Sequence, residues 1–360
     1  MNMLRLLKVL FVFCTLALIG CTAKKETTEA ADAKPIEIKV VVVTMFEIGA
    51  DTGDQAAEFQ LWYERQKLTQ QLPFAHHHDL FLNPTTGVLG MVTGMGTANS
   101  ATAVMELAMD PRFDLSHAYW LVAGISGVDP ADASIGSAAW AEYLVDGDLA
   151  HEIDAREMPK DWPTGYFARN TRRPYDPKKP QPDGEVFRLN AALTEWAYQL
   201  TSNVKLDDSP ALQKERAKFV GFPNAQKPPF VLKGDNLAGM TFWHGTILNE
   251  WANKWVAYWT DDKGNFVTSA MEDTGTFQAL TYLHPTHKVD KNRVMVLRTA
   301  SNYTTQPQGM GAAEHLLQEN DGYAGLDASV EAAYRVGSVV VDEIANNWAK
   351  YRDNTPPLKP

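Results

Sequence analysis

The sequence predicts an α/β fold: a single domain with a central, mostly parallel twisted sheet flanked by helices. Three observations lead there. Strand-like and helix-periodic segments alternate from Ile36 to about Tyr351, the order that gives a parallel sheet covered on both faces. The runs Ile36 to Thr44 (IEIKVVVVT) and Val88 to Val92 are continuously apolar rather than alternating, as strands buried on both sides are. Several such runs lead into glycine-rich or polar loops, and open α/β sheets take their ligands at the carboxyl ends of strands. With 360 residues, 45% of them hydrophobic, the chain can bury a large core. No internal repeat interrupts the domain expected over residues 36–351.

The first residues stand apart. Arg5 and Lys8 precede an apolar stretch, Val9 to Ile19, that is too short to span a bilayer after processing. Leu18-Ile19-Gly20-Cys21 resembles a bacterial lipobox. The expectation is a lipoprotein-type signal peptide over residues 1–20 with lipidation at Cys21; an ordinary secretory cleavage or an uncleaved anchor are the alternatives. Residues 21–35 are rich in Ala, Lys, Glu and Thr and read as a flexible tether, and residues 352–360 as a short tail. The protein would then be exported, as a periplasmic or outer-membrane-anchored lipoprotein held by its N-terminal lipid. Cys14 and Cys21 are the only cysteines, so the mature domain has no disulfide. A net charge of -11 argues against nucleic acid and against a basic face on anionic lipid. After the signal, no stretch reaches about 18 consecutive apolar residues, so no transmembrane helix is expected.

In chain order, the strand over 36–44 is followed by the loop Met45 to Asp51, which carries Glu47, and a helix is predicted over Phe59 to Leu72, ended by Pro73. After Val88 to Val92, the turn Gly94-Met95-Gly96 with Asn99 leads into a helix reaching about Met109; glycines there let backbone N–H groups approach an oxygen-rich ligand. Tyr119 to Ala123 reads as a strand with a second glycine loop, Gly124 to Gly127, at its end, and Trp140 to Val145 as a further strand. The Pro- and Arg-rich stretch from His151 to Pro182 reads as an ordered surface excursion, because Trp162, Tyr166, Phe167 and Tyr175 need packing partners. Phe187 to Leu200 and Ser209 to Lys218 are helical in pattern, and Phe230 to Leu232 leads into Gly234-Asp235-Asn236. Trp251, Trp255 and Trp259 have the spacing of a helix core. Val267 to Glu272 is a strand running into a helix, Arg293 to Arg298 another strand, and Ser329 to Tyr351 a long final helix. The pair Met271-Glu272, at a strand-to-helix junction, suits a sugar: a carboxylate accepts from two vicinal hydroxyls while a thioether packs beneath the ring.

Five expected strand-end loops, in order, carry a resemblance: Glu47, Gly94-Met95-Gly96 with Asn99, Gly124 to Gly127, Met271-Glu272, and Arg298-Thr299-Ala300-Ser301-Asn302. Together they resemble the nucleoside phosphorylase superfamily and its nucleosidases over most of the chain. The tract Gly124 to Ala150, Trp243-His244-Gly245 and Met271-Glu272-Asp273-Thr274-Gly275 are similar, at finer grain, to the purine nucleoside permease family. The resemblance implies a nucleoside phosphorylase-like fold, purine nucleosides as ligands, and an association with nucleoside uptake. It implies that Glu272 holds the ribose hydroxyls, that Met271 lies under the sugar, and that Glu47 positions or activates water, a role needing a base within hydrogen-bond reach. Asn302 falls where many relatives place an Asp that protonates purine N7; an amide there can stabilise charge on the base without transferring a proton. Gly96, Asn99, Gly124, Asp235, His244, Arg298 and Ser301 complete the expected substrate-binding set, and Trp243 or Phe242 would stack on the purine.

Two functions compete on these residues. One is purine nucleoside binding for uptake by a tethered protein, which without spans of its own needs a separate membrane transporter. The other is cleavage of the N-glycosidic bond, with water preferred over phosphate because the first arginine after Glu47 is Arg65 and no cationic grip on phosphate is evident. A homo-oligomer whose second copy completes the pocket is a further option. No cofactor and no metal is expected: His76-His77-His78-Asp79 are consecutive and would point to different sides.

Overall fold

A computed structural model describes residues 34–319 and 322–356. The expected signal peptide, Cys21 and most of the tether lie outside the described residues, as do residues 357–360. The molecule is built on a 12-stranded sheet. Its centre is parallel: Val40–Thr44 lies between Val88–Val92 and Tyr119–Val128, and Val294–Tyr303 runs parallel to Tyr119–Val128 on the same strand's far side. Elsewhere the sheet is mixed. Phe266–Ala270 meets Tyr119–Val128 antiparallel, and Leu80–Asn83 and Gln70–Leu72 add an antiparallel hairpin at one edge. At the other edge Val186–Arg188 pairs antiparallel with Tyr143–Asp146.

Helices cover both faces. On one, Thr97–Met109 and Asp273–Leu283 bury Val104, Leu107, Phe277 and Leu280 against Val41, Val43 and Val122. On the other, Gln60–Arg65, Ala191–Thr201 and Leu326–Asn346 bury Trp62, Leu193, Val336, Val340 and Ile344 against Val40, Val42 and Leu121. The uninterrupted valines of Val40–Thr44 thus serve two cores at once, which is why that segment does not alternate. The three tryptophans of helix Thr246–Thr260 are buried as their spacing predicts. The excursion over 151–182 is pinned by aromatic contacts, Tyr166 lying 4.9 Å from Trp251 and 5.5 Å from Trp255.

Several boundaries differ from the sequence reading. The helix expected over Phe59 to Leu72 stops at Arg65, because Lys67 turns into the left-handed region at φ 53° and Leu68 N–H closes the end on Tyr63 O at 3.0 Å. Gln70–Leu72 is a strand. Phe187 belongs to the strand Val186–Arg188, and the next helix starts at Ala191, where the Asn190 side chain accepts from Ala192 and Leu193 N–H. Trp140 to Val145 is split into Ala138–Trp140 and Tyr143–Asp146.

The largest differences fall on two expected loops. Gly124 to Gly127 lies inside the ten-residue strand Tyr119–Val128, and Arg298 to Asn302 lies inside the ten-residue strand Val294–Tyr303. The two are paired, Arg298 opposite Gly124 and Asn302 opposite Gly127, with the register shifting between Ala300 and Asn302. Glycine does not break the strand here; it makes room. A Cβ on Gly124 would stand 2.5 Å from Glu58 Oε1 and 2.8 Å from Arg298 Nη1.

Gly275 does the same between helices. A Cβ there would run into Thr97 O and lie 2.7 Å from Ser100 Oγ, so helix Asp273–Leu283 touches helix Thr97–Met109 backbone to backbone. Gly275→Ala should therefore lower unfolding free energy by about 1–3 kcal/mol in urea melts, the usual effect of overpacking; an unchanged midpoint would contradict the contact.

Candidate functional site

At the end of strand Phe266–Ala270, Met271 and Glu272 form the junction into helix Asp273–Leu283. The strand Val294–Tyr303 brings Arg298 to the same point. Arg298 is 1% exposed and Asp273 0%, so this is an ion cluster without water, and such clusters hold only when every polar atom is met. Arg298 Nε donates to both Asp273 oxygens at 3.1 and 3.2 Å, Nη2 donates to Glu272 Oε2 at 2.9 Å, and Nη1 donates to Ile125 O at 3.1 Å. Asp273 also accepts from Asn236 Nδ2 at 2.6 Å. Burial alone would push the Arg298 guanidinium down, and the Asp273, Glu272 and Glu58 carboxyls beside it hold it well above its usual range.

Glu272 is buried. Its Oε1 accepts from Gly96 N–H at 3.0 Å and its backbone oxygen accepts from Ser100 Oγ at 2.9 Å. The left-handed Gly96, at φ 93°, thus ties the start of helix Thr97–Met109 to the start of helix Asp273–Leu283. Each carboxylate oxygen accepts two hydrogen bonds, so Oε1 keeps one site for a hydroxyl.

A third carboxyl completes the cluster, and the sequence reading did not single it out. Glu58, just before helix Gln60–Arg65, accepts from Met45 N–H at 2.8 Å and from Ile125 N–H at 2.7 Å. Burial raises it from 4.5 to about 8; Arg298 counteracts and Glu272 adds to the rise. Glu47, the expected water-activating residue, is engaged elsewhere. Its Oε1 accepts from Ile48 and Ala57 N–H at 2.9 and 2.6 Å, and its Oε2 from Phe59 and Gln60 N–H at 2.9 and 2.6 Å. Four backbone amides occupy it as a cap for the helix start, and the carboxyl facing Arg298 is Glu58. The only trace of this in the sequence is a lone acid between Ala57 and Phe59.

Met271 lines a small cavity of about 20 Å³ together with Gly127, Phe242, Trp243, Ser269 and Asn302. Asn302 is held by Ser301 Oγ, which donates to its Oδ1 at 2.9 Å, and its Nδ2 donates to Glu319 Oε2 at 3.4 Å. It also lines a second cavity, of about 220 Å³, with Ser301, His315, Glu319 and Tyr323. Glu319 is raised to about 7, by burial first, with His315 and Asn302 opposing and Glu215 adding.

Not every expected residue converges. Asp235 starts its strand, and its carboxylate accepts from Tyr143, Asn265 and Glu142 N–H at 2.7, 2.8 and 3.0 Å; it ties strands together at the end remote from Ala270. Asn99 is exposed and donates to Met95 O at 2.8 Å within its own turn. His244 faces His315, Nε2 to Nδ1 at 3.0 Å, and is lowered to about 4 by burial and by that neighbour. Glu58, Asp273, His315 and Glu319 are the polar groups that sequence reasoning passed over; the last two lie on helix Ala312–Glu319, which it did not foresee.

Two outcomes follow. Arg298→Met leaves buried carboxylates unpaired and should cost about 3–5 kcal/mol of stability in urea unfolding. Because Glu58 holds its proton to about pH 8 when folded and only to about 4.5 when unfolded, folding binds a proton between those values and stability falls as pH rises through them. Glu58→Gln should flatten that decline in Tm-against-pH curves, and parallel curves would remove Glu58 from the buried cluster.

A family profile described as purine nucleoside permease matches residues 37–356. A purine nucleoside permease of Candida albicans is 28% identical over 339 residues, covering 91% of this chain and 81% of that protein. A probable purine nucleoside permease of Schizosaccharomyces pombe is 28% identical over 276 residues, covering 74% and 78%. Among solved structures, a Francisella philomiragia protein described as a 5'-methylthioadenosine/S-adenosylhomocysteine nucleosidase is similar in fold, with TM-score 0.51 at 14% identity, covering 84% of this chain and 98% of that one. A Helicobacter pylori nucleosidase of the same description has TM-score 0.50 at 13% identity, covering 86% and 99%.

Proposed function

The chain belongs to the purine nucleoside permease family, and from that premise we propose that it binds purine nucleosides in the cavity beside Met271 and Asn302, in the service of uptake. The observation that carries this is the junction Met271-Glu272: a Met on the cavity wall, followed in the chain by a buried carboxylate held in place by Gly96 N–H and Arg298. Glu272 would take a ribose hydroxyl through a charge-assisted hydrogen bond, Met271 would pack on the sugar, and Phe242 and Trp243 would flank the base. Asn302 offers the base an amide, which donates and accepts without moving a proton.

No described helix is long and apolar enough to cross a membrane. Under this reading the protein is a nucleoside receptor, exported and held at a membrane by lipid on Cys21 and the tether, and a separate transporter carries the ligand across. The lipid anchor is tested by mass spectrometry of the mature N-terminus.

A specific observation favours a second reading, hydrolysis of the N-glycosidic bond. Glu58 is a buried carboxyl poised near about 8, and catalytic acids and bases work best near the operating pH. In this reading Glu58, rather than Glu47, positions and deprotonates water, and Asn302 stabilises charge on the departing base. Water is preferred to phosphate because Nε, Nη1 and Nη2 of Arg298 already donate to Asp273, Ile125 O and Glu272, and its charge is met by those buried carboxylates.

Calorimetry of the full chain with inosine, guanosine and adenosine should show binding, and Glu272→Ala should weaken it by about 10- to 100-fold, the value of a charge-assisted hydrogen bond; unchanged affinity would sink the pocket assignment. Incubation with inosine, with and without phosphate, separates the two readings. Hydrolysis predicts free base in both buffers, a rate that climbs with pH toward about 8 as Glu58 loses its proton, and loss of release in Glu58→Gln. No free base in either buffer leaves binding alone.

A further inference from the structure

We propose that His244, His315 and Glu319 form a binding site for a divalent transition-metal ion, zinc being the best match to the donors. His244 sits in the turn before helix Thr246–Thr260, and His315 and Glu319 are four residues apart on helix Ala312–Glu319, the spacing that puts two side chains on one helix face. One donor atom from each of the three lies within 4.8 Å of the others. His244 Nε2 is 3.0 Å from His315 Nδ1, and His315 Nδ1 is 3.9 Å from Glu319 Oε1. A tetrahedral zinc with bonds of about 2.0–2.1 Å has ligand-to-ligand edges of roughly 3.3–3.4 Å, so the observed separations bracket the required one and small side-chain movements close the site.

The surroundings are those of a metal site as well. Glu215 Oε1 stands 3.8 Å from His315 Nε2, which favours the proton on that nitrogen and leaves a lone pair on Nδ1, the atom facing His244 and Glu319. Glu319 divides its carboxylate: Oε1 faces His315, and Oε2 accepts from Asn302 Nδ2 at 3.4 Å. Carboxylates behind ligating histidines and amides behind ligating carboxylates are how proteins orient metal ligands. His244 Nδ1 is buried with no protein partner, so nothing behind the ring competes with its Nε2 for the position facing His315 and Glu319. The cavity of about 220 Å³ beside His315 and Glu319 gives an ion a route in and leaves room for a water, the arrangement of sites with three protein ligands and one open position. The consecutive histidines make no such cluster: His77 pairs with Glu106 at 3.2 Å and His78 with Asp51 at 2.7 Å.

The test uses the full chain, stripped with a chelator and titrated with Zn²⁺ and with Co²⁺ as a spectroscopic probe. One equivalent of either ion should bind, Zn²⁺ should raise Tm, and bound Co²⁺ should give the intense visible bands of a four- or five-coordinate ion. Glu319→Gln, nearly isosteric, and His315→Asn should each weaken binding by at least about tenfold, while the double variant His77→Ala/His78→Ala binds as the parent does. Far-UV circular dichroism of Glu319→Gln confirms that the variant read is folded. Absence of stoichiometric binding, the pale spectrum of six-coordinate Co²⁺, or undiminished affinity in folded Glu319→Gln would overturn the proposal.

Discussion

A guanidinium that has lost its water must be met by the protein on every side, and at Arg298 this constraint organises the strand ends. Asp273 and Glu272 come to it from a strand-to-helix junction and Ile125 O from the neighbouring strand, while the charge of Glu58, just before the first helix, acts on it from nearby. An isolated buried ion pair is weak evidence for stability, because desolvation consumes most of the Coulombic gain. What the cluster gives is position. Glu272 is locked between Gly96 N–H and Arg298, so its orientation is set by the fold itself.

The same constraint explains where glycine is needed. Gly124 lies opposite Arg298 in the sheet, under Glu58 and the guanidinium. A methyl group there would displace one of them. Gly124, in the middle of a buried strand, is therefore a packing requirement of Met45 and the ion cluster together, and it leaves the backbone ladder intact.

This accounts for what the sequence revealed and what it hid. The α/β class was legible because Val40–Thr44 and Val88–Val92 are apolar on both faces and separated by helix-periodic segments. Met271-Glu272 was legible because both residues fall at a junction that the local pattern already marks. Glycine-rich stretches at 124–127 and the polar run at 298–302 read as loops by composition, yet tertiary crowding made both of them strand. Glu47 and Glu58 are eleven positions apart on one loop, and composition cannot tell which of two acids turns inward. Only the four amides around Glu47 and the two around Glu58, with Arg298 opposite, separate a helix cap from a buried acid. His315 and Glu319 were invisible for another reason: Ala312–Glu319 is a short helix after a glycine- and proline-rich turn, and its partner His244 is 71 residues away in the chain.

Asn302 forms part of the wall of two cavities at once, its Oδ1 fixed by Ser301 and its Nδ2 aimed at Glu319. A planar amide turns as a unit. An occupant of either chamber that rotates it withdraws a donor from one side and presents it to the other. Two sites joined through such a rotor are thermodynamically reciprocal: whatever free energy the first occupant adds to or takes from the second, the second returns in equal measure to the first.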